Sequence, residues 1–559
     1  MAGIDLAMGI HKDAFPLPKP TPNSTESRMS RSHTLMLALL VLLAAATIGG
    51  CSQTQPSDAG GGDTLIRAMA AEPSILDPQG PASSGLSLVT PYLFDTLVTR
   101  QTDGKYAGQL AESWSVSSDG RTIEMKLKSG VKFHDGSPLN AAAVAFTFER
   151  FKTAGTKSPI YGSIQEIGRV EPLDELTVRF SFAEPNATFW STIAMPYAGI
   201  LSPSAVQSAG DEMGSKPVGT GPFRLSEWAR GVSITLTRNP DYQWGPAEVK
   251  NRGPVHIQKL VFKIVPDAGT QLSALRSGDV DVVFVNDPGQ VAALEKETGL
   301  RTEPAGIDAL VYLGYNCAKP PFNEVKVRQA LSHAVDKSAI VKTALAGLGT
   351  EANTPQPPSW LGYSTELKGY GQDYDPARAR TLLKEAGFTQ SSDGGWERDG
   401  KKLEAKLLTS TRAPNEAIAT LLQSQFKALG IPVEIQQLDS AAVMKANNEG
   451  AFDLLLWRYD WNDPNALNIY LSSSRIRETN RVFYSNPKAD ALFDRGLHEL
   501  DQERRAQLYQ EVQKIILADA PWQPLYHPTE MMASRQRVKG MAIGSMGRML
   551  VNDVTMDGR

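Results

Sequence analysis

At 559 residues the chain is too long for one simple core; at roughly 100–200 residues per domain it implies about three folding units. Hydrophobic residues make up 41% and charged residues 21%, an ordinary balance for a folded protein, and a formal net charge of −4 argues against a phosphate-backbone binder, which needs clustered Lys and Arg. Two cysteines, Cys51 and Cys317, exclude a disulfide framework and a cysteine metal cluster within one chain.

The first fifty residues read as an address. Residues 35–48, LMLALLVLLAAATI, are almost continuously apolar, too short to span a bilayer but the length of a signal-peptide core. Arg31 precedes them, and Ile48-Gly49-Gly50-Cys51 follows, which resembles the lipobox of bacterial lipoproteins. Lipidation is therefore expected at Cys51, with cleavage just before it. Residues 1–28 hold Pro16, Pro18, Pro20 and Pro22 and three acidic groups, which does not suit a signal start, whereas MSRSHTLML from Met29 does. Translation is expected to begin at Met29. Residues 52–62, SQTQPSDAGGG, are polar and Gly-rich and read as a flexible tether. Cys317, left without a partner, is expected to be a small apolar residue beside a strand.

The body alternates strands and helices. In residues 122–128, TIEMKLK, Ile123, Met125 and Leu127 alternate with polar residues, predicting a half-buried strand after the turn Asp119-Gly120. Asn140 is placed to cap a helix with Val144, Phe148 and Phe151 on one face. Asp375-Pro376 opens another helix and Gly387 lies just past its end. Further helices are predicted over 417–429, stopping at Gly430, and over 502–518. Residues 432–438 read as a strand, and 452–457, FDLLLW, as one buried on both faces. This alternation predicts an α/β fold.

Residues 110–150 contain Ser113-Trp114, Asp119-Gly120, the run Gly130-Val131-Lys132-Phe133-His134-Asp135-Gly136 and a helix ending at Arg150. Downstream come Pro217-Val218-Gly219-Thr220-Gly221-Pro222-Phe223, Leu275-Arg276-Ser277-Gly278-Asp279-Val280-Asp281, Val327-Arg328-Gln329-Ala330-Leu331 and Tyr374-Asp375-Pro376. In this order, over roughly residues 63–545, they resemble the family 5 bacterial solute-binding proteins, lipoprotein members included. The resemblance implies a two-lobed periplasmic-binding-protein clamshell, type II and cluster C-like. By that analogy residues 63–104, 218–315 and 535–559 would form lobe I, 105–217 an extra domain on it, and 316–534 lobe II. It implies an extracytoplasmic, monomeric binding component of an ABC importer, held to the membrane by its lipid, that delivers short peptides to a permease. Other members of the family take nickel chelates, opines and further solutes, so a chelate, siderophore or oligosaccharide stays open, as does a surface interaction or chaperone role without a small ligand.

The candidate binding segment is Trp457-Arg458-Tyr459-Asp460-Trp461. Asp460 lies just beyond the predicted strand 452–457, where open α/β sheets collect ligands. Shielded by Trp457, Tyr459 and Trp461, its carboxylate suits a ligand ammonium, the role that the resemblance implies for it. The alternative is that Asp460 shapes a turn with Asn462 and Asp463-Pro464. Trp457 matches the family's cleft tryptophan or is a core residue. Arg412 would grip a peptide carboxylate or lie in a solvated loop, and Tyr161 would close the cleft from the extra domain. No HExxH, GxSxG or GxxxxGK[ST] occurs, Gly219-Thr220-Gly221 is followed by Pro222, and the seven histidines are scattered. An enzyme, a cofactor and a dedicated metal centre are therefore not expected; His134 reads as structural.

Overall fold

The computed structural model describes residues 63–81, 83–153, 158–306 and 308–558. The expectations for the leader, Cys51 and the tether lie outside these residues. The described residues form one compact unit.

Two mixed sheets carry the fold. The first has seven strands in the order 300–305, 530–535, 282–285, 64–69, 259–264, 233–238 and 223–229. Its central strand, Thr64–Met69, runs parallel to both neighbours, as a strand covered by helices can. The second has six strands in the order 349–351, 522–528, 309–315, 454–460, 405–410 and 433–438. Ala309–Tyr315 is buried at every position, and Ala405–Ser410 runs parallel to both of its partners.

A third, four-stranded antiparallel sheet, 111–116, 122–127, 177–182 and 167–172, builds the extra domain. The alternation in Thr122–Leu127 does what the sequence predicts: Ile123, Met125 and Leu127 enter a core with Phe148, Phe151 and Phe180. The helix Ala141–Thr153 covers that core, and Asn140 caps it by accepting from the Ala143 N–H at 2.9 Å. Asp95 fastens this domain to the first sheet's layer. Its buried carboxylate accepts from Gln109 and Trp244, each at 2.9 Å, from the Thr220 hydroxyl at 2.9 Å and from Tyr242 at 3.1 Å.

The helices fall close to their predicted places. Pro376–Glu385 has Asp375 as its cap, accepting from two backbone N–H groups; Asn415–Leu429 ends at Gly430, whose φ of 92° is left-handed; and Gln502–Asp519 closes the second layer.

Both crossings between the sheets come earlier than the sequence reading puts them. Ala309–Tyr315, assigned there to lobe I, pairs along its length with Leu454–Asp460 and belongs to the second sheet. Glu530–Arg535, assigned to lobe II, pairs with 282–285 and 300–305 and belongs to the first. The last first-sheet residue is therefore Ala305 and the first second-sheet residue Ala309, and the return crossing falls at Thr529. Strand pairing, which a linear pattern does not encode, sets these borders.

Candidate functional site

The strand Leu454–Asp460 begins two residues later than predicted and runs three residues further. That extension decides which side chains reach a ligand. Leu454 and Leu456 pack into the core under Asn415–Leu429 and its neighbouring helices. By alternation Arg458 and Asp460 share their face, past the edge of that core.

At this edge lies a cavity of about 230 Å³ between the two sheets. The second sheet contributes Trp457, Arg458 and Asp460, with Arg412 just after Ala405–Ser410. The first contributes Glu530, with Asn286 and Pro288 following Val282–Val285. The location is that of open α/β sheets generally, beyond strand ends where the topology switches.

The charged groups form one network. The Arg458 guanidinium donates to Oδ1 of Asp460 at 2.6 Å and also pairs with Oε1 of Glu530. Arg412 donates to the same Glu530 oxygen at 3.1 Å. Burial grades these four residues. The side chains of Glu530 and Arg458 are 7% and 17% exposed, whereas those of Asp460 and Arg412 are 45% and 50% exposed. Two carboxylates close to one guanidinium hold the Arg458 proton more tightly than usual, against the opposing effect of burial. An acid and a base thus remain half open to the cavity, above a buried pair.

Of the five predicted ligand residues, the cavity brings together Asp460, Trp457 and Arg412. Trp457 is half-buried, with the Arg481 guanidinium 5.5 Å from its ring centroid. Tyr459 is not among the lining residues. Alternation turns it to the opposite face, where it is buried against Tyr312, Trp360, Tyr470 and Trp522 and its hydroxyl donates to the Pro355 carbonyl. Tyr161 is also away from the cavity: it opens the short helix Tyr161–Gln165, and its hydroxyl accepts from the Gln165 amide at 2.7 Å. Trp461 packs on the extra domain's core, and the neighbouring Asn462 donates to the Ser191 carbonyl at 2.9 Å. Asp463 forms a buried bidentate pair with Arg505.

Glu530 and Arg458 are not legible as site residues from the sequence alone. Arg458 stood within the quoted motif, but its face depends on where the strand ends. Glu530 is 72 residues from Arg458 and comes near it only through the crossing at Thr529.

The remaining polar candidates have structural roles. His134 Nδ1 accepts from the Gly219 N–H at 3.3 Å and Nε2 lies 3.0 Å from the Gly221 carbonyl, which fixes the neutral tautomer with its proton on Nε2. Desolvation pushes its pKa down to about 4. Cys317 follows the strand Ala309–Tyr315 and its Sγ lies 3.4 Å from the Tyr315 carbonyl; burial pushes the thiol up to about 11. Among the described residues no group of three or more His, Cys, Asp or Glu could hold a metal, and no helix is long and apolar enough to cross a membrane.

The model of the bacterial extracellular solute-binding proteins, family 5, matches residues 105–478. This chain belongs to that family. A curated member, di/tripeptide-binding protein 1 of Pseudomonas aeruginosa, is 30% identical over 93% of this chain and 98% of its own. Heme-binding protein A of Haemophilus influenzae is 31% identical over 80% of this chain and 84% of its own. Among solved structures, the periplasmic binding protein DppA of Helicobacter pylori in complex with peptide STSA superposes with a TM-score of 0.73 at 28% identity, covering 88% of this chain and 98% of that one. The two sheets are accordingly the lobes of a type II periplasmic-binding-protein clamshell, and the protein is a substrate-binding component of an ABC importer. The family is one of solute-binding transport proteins, and its periplasmic members are extracytoplasmic.

Proposed function

We propose that the protein captures short peptides in the cavity between its lobes and hands them to a membrane permease. The observation that carries this reading is the half-exposed pair Asp460 and Arg412 in one cavity beside Trp457. Asp460 takes the ligand's ammonium and Arg412 its carboxylate. Charge-assisted hydrogen bonds at both ends hold a zwitterion in a cavity only partly open to water. A ligand touching both lobes favours the closed state by its differential affinity. The cavity, at about 230 Å³, lies below the roughly 300–1,000 Å³ of drug-sized sites, which favours a short peptide over a long one. The di/tripeptide-binding relative and the peptide-bound neighbour support the same ligand class.

Cys51, carrying lipid, would anchor the body outside the cytoplasmic membrane, with residues 52–62 as tether; acylation at more than one chain makes such anchoring stable. The protein would act as a monomer and without catalysis.

A thermal-shift screen tests the ligand. Free-amine dipeptides and tripeptides raise Tm in proportion to occupancy, and their N-acetylated copies do not. A flat peptide response alongside a shift with a chelate or sugar would overturn the peptide reading.

A further inference from the structure

We propose that Glu530 sets the net charge of the ligand that this cavity accepts. The inference rests on the short-peptide reading of the cavity. Among the described residues the charged lining consists of Arg412, Arg458, Asp460 and Glu530, two cations against two anions. A site partly closed to water rejects an uncompensated charge, since burying one without a partner is costly. With the lining balanced, the ligand that leaves no residual charge is itself balanced: one ammonium, one carboxylate and an uncharged side chain.

Glu530 is the residue on which this balance turns. It is the most buried of the four, and its Oε1 is shared by both guanidinium groups. It therefore cancels one positive charge from beneath while leaving Arg412 half exposed for the ligand. It is a positioning residue that acts through the two arginines. Its place at the start of a first-lobe strand also makes the balance complete only when the lobes meet, because both arginines belong to the second lobe.

Neutralising Glu530 while keeping an oxygen acceptor, Glu530→Gln, leaves one positive charge in excess. A ligand carrying an additional carboxylate then restores neutrality. The test uses the full chain and calorimetric titration with Ala-Leu, Ala-Glu and Ala-Lys, peptides with identical ends. Wild type is expected to bind Ala-Leu more tightly than Ala-Glu. Glu530→Gln is expected to shift the Ala-Glu to Ala-Leu affinity ratio by at least about tenfold toward Ala-Glu. The double variant Glu530→Gln with Arg458→Gln, balanced again, is expected to return the ratio toward that of wild type.

A merely structural role for Glu530 would move both affinities together, and an unchanged ratio in Glu530→Gln overturns the inference. Should that variant fail to fold, Arg458→Gln alone carries the opposite imbalance. It is expected to shift preference from Ala-Leu toward Ala-Lys, and an unchanged ratio there overturns the inference equally. Wild-type protein that binds none of the three peptides sinks the peptide reading itself, and this inference with it.

Discussion

The ion pair between Arg458 and Glu530 joins two sheets that share no strand. Arg458 sits near the end of Leu454–Asp460 in the second sheet, and Glu530 opens Glu530–Arg535 in the first. Ala305 pairs with Glu530 in the first sheet and Ala309 with Asp460 in the second, so the two carboxylates sit at facing ends of the two sheets. The Arg458 guanidinium bridges them. Removing Glu530 leaves this guanidinium with one partner in a poorly hydrated place. Glu530→Ala is expected to cost about 3 kcal/mol or more in urea unfolding, as breaking a buried pair does. Arg412→Ala breaks a contact to the same oxygen from a half-exposed side chain and is expected to cost less than about 1 kcal/mol. Equal costs would show that burial does not separate Glu530 from the half-exposed Arg412.

Asp460 is expected to matter for binding and little for stability. Its carboxylate is nearly half exposed, and its protein partner Arg458 keeps Glu530 when Asp460 is removed. Asp460→Ala should weaken a free-amine dipeptide by about 2–3 kcal/mol, leaving the ligand cation unpaired, while unfolding changes by under about 1 kcal/mol. Calorimetric titration and urea unfolding of the same variant separate the two effects. Undiminished peptide affinity would remove Asp460 from the site.

Local patterns carried most of the fold into view. Asp375 and Asn140 cap the helices that their positions promise, because a cap is a contact within three residues. Asp460 was legible as the polar end of an apolar strand. Tyr459 was not, because alternation fixes its face only once the strand is known to continue past Trp457. Glu530 was not, because its partners arrive through a sheet crossing. The lobe borders failed for the same reason: Ala309–Tyr315 and Glu530–Arg535 read as strands in any position, and only pairing assigns them to a sheet.

Asp95 offers a test of how the extra domain is held. Four side-chain donors from three separate segments converge on one buried carboxylate. Burial raises its pKa, while these hydrogen bonds to the charged form pull it down. Asp95→Ala strands several buried donors at once and is expected to cost at least about 3 kcal/mol, with hydrogen exchange rising in residues 109–127 and 220–244. Asp95→Asn keeps one acceptor oxygen and should cost less than Asp95→Ala. A silent Asp95→Ala would mean that water replaces the carboxylate.

The His134 ring gives the protein a defined acid sensitivity. In the folded state the ring is held neutral between Gly219 and Gly221, with its pKa pushed down to about 4 from an ordinary 6.5. The unfolded chain therefore binds the proton first. Stability from this group is fully present above about pH 6.5 and declines as pH falls toward 4, because protonation then favours the unfolded state. A gap of this size corresponds to at most a few kcal/mol. His134→Gln removes the titration, so the difference between wild type and variant in urea unfolding should shrink steadily from pH 7 to pH 4. Carboxylates elsewhere titrate in both proteins and cancel in that difference. A difference that stays constant across this window would show that the ring is protonated without loss, and that the Gly219–Gly221 turn does not depend on its neutral form.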